Sequence, residues 1–150
     1  MPFTITQTTF ASPTLRRAFM DYFAELGVTV RDWEGLFQEL DKRAGFTLAL
    51  QDEAGCIVSF LLGSMQDMGS DFFTVPIGFV EEMYVAPAFR QQGLGAVLLQ
   101  AAEARFRNEG CGYTFLTTDS APDFFVRQGY LFQPRIAAKN GDPVYVKPLC

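Results

Sequence analysis

A short glycine-containing segment, Arg90-Gln91-Gln92-Gly93-Leu94-Gly95, lies where a strand pattern gives way to a helix pattern. The first turn of a helix has backbone N–H groups without partners inside the helix, and the helix dipole adds partial positive charge there. Glycines leave room for an anion to reach those groups. The segment is therefore a candidate cradle for a diphosphate. A simple tight turn would give the same pattern.

Two adjacent carboxylates, Glu81 and Glu82, lie within the apolar strand pattern that runs from Val75 to Val85. A strand covered on both faces is normally almost entirely apolar. Burying a carboxylate without a partner costs several kcal/mol and raises its pKa toward that of a useful general base. The pair is therefore a candidate for proton transfer. The alternative is that one or both glutamates face water near the end of the strand.

The residue types disfavour several other kinds of site. The chain has no histidine, and its three cysteines, Cys56, Cys111 and Cys150, are widely spaced without a CxxC pair. Neither a metal site nor a disulfide framework is expected. Any general base must be a carboxylate, Tyr, Lys, Cys or water. The glycine segment is not a dinucleotide fingerprint, since Leu98 replaces the third glycine, and it lacks the Gly-Lys-Ser/Thr of a P-loop.

Length and charge narrow the class of protein. The 150 residues predict one domain that spans positions 1–150. A formal net charge of −5 disfavours nucleic acid as a partner and suits a cationic one. No stretch approaches the roughly 20 apolar residues of a membrane span, and the N-terminus has no secretory pattern. We expect a cytoplasmic protein that binds neither nucleic acid nor membrane.

The elements that position these residues follow from apolar periodicity and turn signals. The predicted elements are a strand at 3–9, helices at 13–26 and 32–44, strands at 46–51 and 56–65, a loop at 66–74, a strand at 75–85, a helix from 94 to about 109, a strand at 113–118, a helix at 121–128, and strands at 130–137 and 144–147. The last two strands are expected to form a hairpin around Asn140-Gly141. This order indicates an α+β domain.

Two motifs carry a family resemblance. The run from Glu82 to Gly95, a strand followed by Pro87 and then Arg-x-x-Gly-x-Gly at a helix start, resembles the acetyl-CoA-binding segment of the GNAT superfamily of N-acyltransferases. The stretch from Ala121 to Tyr130, a short helix followed by glycine and an aromatic residue, is similar to the second signature of that family. The predicted element order also matches, so the resemblance covers essentially the whole chain.

The resemblance implies a particular fold and reaction. The fold is α+β, with a mixed central sheet of about seven strands and helices on both faces. The strand ending near Val85 is expected to splay from the strand beginning near Tyr113. The implied activity is transfer of an acetyl group from acetyl-CoA to an amine of a small molecule or peptide. The pantetheine arm would bind the open strand edge as a false strand.

Site residues carried over by the resemblance fall into two groups. Those implied to bind the cofactor are Met83, Tyr84, Val85, Arg90, Gln91, Gln92, Gly93, Leu94, Gly95, Ala96 and Phe125. For catalysis, Glu81 is expected to accept the proton of the amine, directly or through water, and Glu82 is the second candidate as base or substrate contact. The N–H of Val85 is expected to bind the oxyanion.

The chain departs from the family at one catalytic position. Many members carry a tyrosine as general acid four residues before the glycine of the second signature, where this chain has Phe125. A thiol with a pKa near 8.5 leaves as thiolate at pH 7 for about 2 kcal/mol, so water, Tyr113, Tyr130 or the ammonium product could substitute. The alternative function is a catalytically weak or inactive acyl-CoA-binding or sensor domain.

The acceptor site and oligomeric state are less constrained by the sequence. Residues 66–76 combine Asp67 and Asp71 with Phe72 and Phe73, a composition that suits an amine on an apolar body. A solvated loop with an aromatic anchor has the same composition. The resemblance also makes a homodimer through the C-terminal hairpin a reasonable expectation.

Overall fold

The structure, a computed structural model, describes residues 2–43 and 45–149. Its elements are, in chain order, β1 (Thr4–Thr8), α1 (Pro13–Leu26), α2 (Trp33–Arg43), β2 (Phe46–Gln51), β3 (Ile57–Asp67), β4 (Pro76–Val85), a 3₁₀-helix (Pro87–Phe89), α3 (Leu94–Asn108), β5 (Tyr113–Thr117), α4 (Pro122–Arg127), β6 (Leu131–Phe132) and β7 (Val144–Pro148). The described strands form one mixed, seven-stranded sheet in the order β1-β2-β3-β4-β5-β7-β6. The predicted fold class and element order are confirmed.

The chain divides into two compact units. The first unit comprises Met1–Ser64 and Glu81–Ala102, and the second comprises Met65–Val80 and Glu103–Cys150. Strand β4 and helix α3 therefore each contribute residues to both units. The expectation of a single domain over residues 1–150 stays a prediction.

Both N-terminal helices begin at side-chain caps. The Ser12 side chain accepts a hydrogen bond from the Leu15 N–H at 3.3 Å, and Gly27 ends α1 in the left-handed conformation at φ 73°. For α2, the Asp32 carboxylate accepts a hydrogen bond from the Gly35 N–H at 3.0 Å. Asp32 is thus the cap, and α2 starts one residue later than predicted.

An aromatic core joins α1 and α2 to the sheet in the first unit. Phe10 stacks on Phe37 with ring centroids 5.0 Å apart, and Phe19 lies 5.5 Å from Phe60 of β3. All four rings are almost fully buried. This cluster covers the face of β2 and β3 that carries Ala49 and Phe60. Residues of the opposite face, such as Leu48, Leu50 and Leu61, are also buried, as expected for a sheet covered on both sides.

The second unit contains the parallel pairing of the sheet. Strand β4 pairs with β5 over Ile77–Phe79 and Tyr113–Phe115, and β7 pairs antiparallel with the other edge of β5. Gly78 is required by close packing, because a Cβ at this position would lie within 2.2 Å of the Phe106 ring of α3. The missing side chain therefore allows β4 and α3 to approach closely at this position.

The two parallel strands separate after a short ladder. Their pairing stops at Phe79, although β4 continues to Val85 and β5 continues to Thr117. In the register of the described strands, Val80 to Val85 are not paired with β5. The predicted splay is confirmed.

Two of the predicted strands differ in extent from the observed ones. The strand expected at 130–137 is reduced to Leu131–Phe132, because Pro134 cannot donate to a ladder and the chain turns there, with the Ile136 N–H bonded to the Gln133 carbonyl. Conversely, β3 extends to Asp67 into the predicted loop. The Met68 N–H donates to the Val75 carbonyl at 2.8 Å, so the segment closes as a hairpin.

Within the described ranges, no helix is both long and apolar enough to cross a membrane. Cys56 and Cys111 are free thiols, one exposed and one buried. Cys150 lies outside the described residues.

Candidate functional site

The first part of the site is the edge of β4 that faces away from β3, near the end of the strand. On the side of β3, the Ala86 N–H donates to the Val58 carbonyl at 2.9 Å, and the Tyr84 carbonyl accepts from the Ser59 hydroxyl at 2.8 Å. Because successive residues of a strand direct their N–H and C=O groups to opposite edges, Val85 and Met83 direct theirs away from β3. This is the edge that β5 leaves unpaired. Tyr84, in contrast, is engaged on the β3 side.

Arg90 fastens the following loop to this strand end. Its Nε donates to the Val85 carbonyl at 2.8 Å, and one terminal nitrogen contacts the Glu25 carboxylate at 2.6 Å. The guanidinium also lies over the Tyr84 ring, 5.7 Å from its centroid. These contacts tie the loop to the end of β4 and to α1, and the expected role of Arg90 in binding the cofactor stays a prediction.

The loop leads through the 3₁₀-helix into α3. Gln91 has φ 63° and Gly93 has φ 78°, so two residues of the loop adopt the left-handed conformation. The first helical bond runs from the Val97 N–H to the Gly93 carbonyl at 3.2 Å. The amides of Leu94, Gly95 and Ala96 therefore precede the first N–H that donates within the helix, which leaves a cluster of donors at the positive end of a 15-residue helix.

Gly93 keeps the space in front of these amides open. A Cβ built at this position would meet no described atom within 4 Å. The glycine is therefore not required by packing against the protein. Its left-handed backbone is a local reason for glycine, and the open space is what an anion at the helix start needs.

Glu81 is the more buried of the two carboxylates. Its side chain is 8% exposed, and its Oε1 forms an ion pair with Arg43 Nε of α2 at 2.7 Å. Its second oxygen, Oε2, is buried and has no hydrogen-bond partner among the described residues. An unpartnered buried oxygen of this kind is costly and marks a place where a donor is missing.

Glu82 is held by a different helix. The Tyr22 hydroxyl of α1 donates a hydrogen bond to Glu82 Oε2. Burial raises the pKa of Glu82 above its ordinary value and the charge of Glu81 adds to this, whereas the Tyr22 hydrogen bond and the charge of Arg43 lower it. Burial and the adjacent Glu82 raise the pKa of Tyr22, so the hydroxyl keeps its proton.

In the second unit, Phe125 lies in α4. Its ring is buried and packs edge-on against Tyr130, with centroids 5.9 Å apart. Tyr130 is fully buried and donates its hydroxyl hydrogen to Glu103 at 2.8 Å. Lys147 contacts the other oxygen of Glu103 at 3.0 Å. Tyr130 is therefore a structural residue, as its burial and engaged proton leave it unsuited to protonate a leaving group.

Tyr113 is also poorly placed for that role. It is the first residue of β5, opposite Ile77 in the paired part of the ladder, and not beyond Phe79 where the strands separate.

The segment proposed for the acceptor lies at the hairpin between β3 and β4. Phe72 and Phe73 are 88% and 74% exposed. The Ser70 N–H donates to the Phe73 carbonyl at 2.8 Å, which forms a tight turn. The aromatic side chains thus project from a turn in the second unit, and a role in acceptor binding stays a prediction.

No group of three or more Cys, Asp or Glu side chains within residues 2–43 and 45–149 could hold a metal ion.

Comparison with known protein families finds a match for the sequence. The sequence model described as the acetyltransferase (GNAT) family matches residues 12–130. The chain belongs to this family. None of the curated protein sequences matches it.

Solved structures of GNAT proteins have the same fold over the full length of the chain. A GNAT acetyltransferase of Staphylococcus aureus is 13% identical, with 99% of both chains covered and a TM-score of 0.74. The N-acetyltransferase YhbS of Escherichia coli, determined with CoA, is 15% identical, with 100% of this chain and 83% of that chain covered and a TM-score of 0.73. At these identities the likeness shows the fold.

A third similar structure holds both a cofactor and a product. It is N-acetylglutamate synthase of Neisseria gonorrhoeae in complex with CoA and N-acetyl-glutamate, 13% identical with a TM-score of 0.73. The match covers 99% of this chain and 35% of that one.

Three side chains of this GNAT protein contact the candidate site residues but were not predicted from the sequence. Tyr22 and Arg43 hold the carboxylate pair, and Glu25 holds Arg90. Tyr22 had the periodicity of a core residue, and Arg43 and Glu25 that of solvent-facing helix ends. Their partners lie 60, 38 and 65 positions away, and no local pattern connects residues at such separations.

Proposed function

We propose that this GNAT protein is an N-acetyltransferase that moves an acetyl group from acetyl-CoA to a primary amine of a small molecule or peptide. Direct attack within a ternary complex is the reaction that fits its residues. The observation that carries the proposal is the combination of unpartnered amides at the start of α3 with an unpaired edge at the end of β4. Coenzyme A matches both features, because its diphosphate suits the amides and the amide groups of its pantetheine arm suit the strand edge.

Donor binding uses main-chain groups. The amides from Gln91 to Ala96 hold the pyrophosphate, with Gly93 leaving the approach open. Met83 offers its N–H and C=O groups for the pantetheine amides at the edge of β4 that faces away from β3, whereas Val85 offers only its N–H there because its carbonyl accepts a hydrogen bond from Arg90. The Tyr84 carbonyl is already bonded to Ser59, so Tyr84 contributes its ring to the core and little to the donor. Arg90 keeps the loop and strand end together.

Glu81 is the proposed base. An alkylammonium has a pKa of about 10.4, so nearly all acceptor molecules are protonated at pH 7 and cannot attack. The Oε2 of Glu81, buried and without a partner, is the acceptor to which one proton of the ammonium passes, directly or through water. The neutral nitrogen then forms a bond with the acyl carbon of the thioester.

The rest of the reaction needs an oxyanion donor and a proton for sulfur. The N–H of Val85, at the unpaired strand edge, is suited to bind the tetrahedral oxyanion. When the carbon–sulfur bond breaks, its electron pair leaves with sulfur, and the thiolate accepts the second proton that nitrogen releases. Glu81 returns its proton to solvent. Phe125 supplies no proton, and Tyr130 keeps its own for Glu103.

A second candidate function is an acyl-CoA-binding or sensor domain with weak or no turnover. The observation that favours it is Phe125, a buried ring without an acidic proton at the position where many family members carry a tyrosine. This alternative keeps the donor site and removes only the catalysis.

Thermal melting with acetyl-CoA tests the donor site. At a concentration of about 100 Kd, binding adds about 2.7 kcal/mol and raises Tm by roughly 5–10 °C. Gly93→Ala should abolish most of this rise. Gly55→Ala is the matched control, since Gly55 has φ 85° and open space around its Cβ but lies in the β2–β3 turn. Equal rises in both variants would contradict the pyrophosphate assignment.

Release of free CoA thiol in the presence of a panel of primary amines separates the two functions. The transferase predicts amine-dependent thiol release and an acetylated product detected by mass. Acetyl-CoA binding without any acetylated amine would favour the sensor domain.

A further inference from the structure

The carboxylate pair on β4 is short of one positive charge and one hydrogen-bond donor. Glu81 and Glu82 bring two negative charges, and within the described chain Arg43 is the basic side chain that contacts them. Glu81 Oε2 is buried without a partner, on a side chain more than nine-tenths buried. A group that supplied both a positive charge and N–H donors would complete the pair. A protonated amine is such a group.

We propose that Tyr22 is a positioning residue for Glu82, and that Glu82 together with Glu81 Oε2 binds the acceptor amine in its ammonium form. This inference rests on the proposed transferase function and adds the side chains that hold the ammonium ion before it loses a proton. It also gives the two glutamates different tasks. Glu82 supplies the charge that attracts the cation, and Glu81 supplies the oxygen that takes the proton.

Tyr22 is held firmly enough to orient a carboxylate. Its ring lies between 5.2 and 5.7 Å from the rings of Phe19, Phe60 and Tyr84. Helix α1, which carries it, is anchored by the same aromatic core. The hydroxyl is thus presented to Glu82 from a fixed ring.

Burial and three neighbouring groups set the ionisation of Glu82. From α1 the Tyr22 hydroxyl donates to it, from α2 Arg43 contributes a positive charge, and from β4 itself Glu81 contributes a negative one. Burial and Glu81 favour the neutral acid, while Tyr22 and Arg43 favour the anion. Removing the Tyr22 hydroxyl therefore shifts Glu82 toward its neutral form and weakens its attraction for a cation.

Arg43 contacts one oxygen of Glu81 and not the other. By binding Glu81 Oε1 it neutralises part of the charge and leaves Oε2 as the free oxygen. Because half of the Arg43 side chain is exposed, it compensates the pair incompletely. The residual negative charge is what an ammonium ion meets.

The test compares Tyr22→Phe with Tyr145→Phe in full-length protein labelled with ¹³C at the glutamate carboxyls. Tyr145 lies on β7, where its ring packs against Phe132. Signals are assigned with Glu82→Gln and Glu81→Gln. In Tyr22→Phe the titration midpoint of Glu82 should rise by about one pH unit, the loss expected for one hydrogen bond to a charged group. An unchanged midpoint, as in Tyr145→Phe, overturns the positioning role.

Butylamine and 1-butanol then serve as probes with the same apolar body. Butylamine, an ammonium ion at pH 7, should shift the carboxyl signals of both glutamates, and butanol should not. In Tyr22→Phe the apparent Kd for butylamine should rise about 3- to 10-fold at pH 6 and approach that of the wild type as pH increases. Equal effects of the two probes, or a loss in Tyr22→Phe that is the same at every pH, contradict ammonium binding.

These readouts do not depend on turnover. Failure of every amine to be acetylated would overturn the proposed function while the NMR titration still decides the role of Tyr22. Conversely, active protein with an unmoved Glu82 midpoint would overturn this inference alone.

Discussion

Two places in this protein bury glutamate side chains beside a tyrosine hydroxyl and a basic side chain. In the second unit, Glu103 is 3% exposed, and each of its oxygens has a partner, Tyr130 at 2.8 Å and Lys147 at 3.0 Å. In the first unit, Glu81 and Glu82 have Arg43 and Tyr22. Similar side chains are used, but the number of carboxylates differs.

The two places differ in how completely the charges and hydrogen-bond acceptors of their carboxylates are matched by partners. Glu103 has one compensating charge and two donors for its two oxygens, which makes a closed network that fixes the packing of α3, β7 and Tyr130. The pair on β4 has two charges against one and an oxygen without a donor. The complete network needs no further partner, whereas the incomplete one fits the ammonium site proposed above.

The largest effect expected from this comparison is on catalysis. Glu81→Gln should lower turnover of acetyl-CoA with its best amine by roughly 10²- to 10⁴-fold, because the amide cannot accept the proton of the amine. Thiol release measures the rate, and urea unfolding checks that the protein is folded. Glu53→Gln, the same change at an exposed turn, is the control. A rate unaffected by Glu81→Gln would remove Glu81 from the role of base.

The next effect is on stability at the complete network. Lys147→Met leaves the buried Glu103 charge uncompensated and should lower the free energy of unfolding by about 3–5 kcal/mol. Urea denaturation at pH 7 measures the loss. Lys139→Met, at an exposed position, removes the same charge and should change stability little. Similar losses in the two variants would show that Glu103 does not need Lys147.

A smaller loss is expected from Tyr130→Phe. The ring still fills the core, but one buried oxygen of Glu103 loses its donor, at a cost of about 1–3 kcal/mol. The same denaturation experiment applies. An unchanged stability of Tyr130→Phe would contradict the idea that Glu103 needs a donor for each of its oxygens.

The smallest expected effect is the pH dependence of stability due to Glu82. Its pKa in the folded protein is raised, chiefly by burial, above the value of about 4.3 in the unfolded chain. Between these two pKa values the folded state binds more protons, so stability falls as pH rises through that window. Glu82→Gln should remove this fall and be more stable than the wild type at pH 7. Chemical denaturation at several pH values from 4 to 8 measures it, and parallel curves for both proteins would contradict the prediction.

Much of the architecture was determined by the sequence alone, since local signals fix it. Ser12 and Gly27 bound α1, Asp52 and Gly55 form the turn between β2 and β3, and the glycine segment opens α3 where expected. These features depend on backbone conformations and caps within a few residues. The strand at 130–137 failed as a prediction because Pro134 breaks the ladder that the apolar pattern indicated.

The tertiary structure decided which partners the carboxylates have. The sequence shows that Glu81 and Glu82 are unusual in a buried strand, but not that Arg43 binds one and Tyr22 the other, or that Glu81 Oε2 is left without a donor. It also gives no sign that Tyr130 and Lys147 converge on Glu103. Hydrogen bonds and ion pairs act over a few ångströms, so partners from distant elements meet only once the chain is folded.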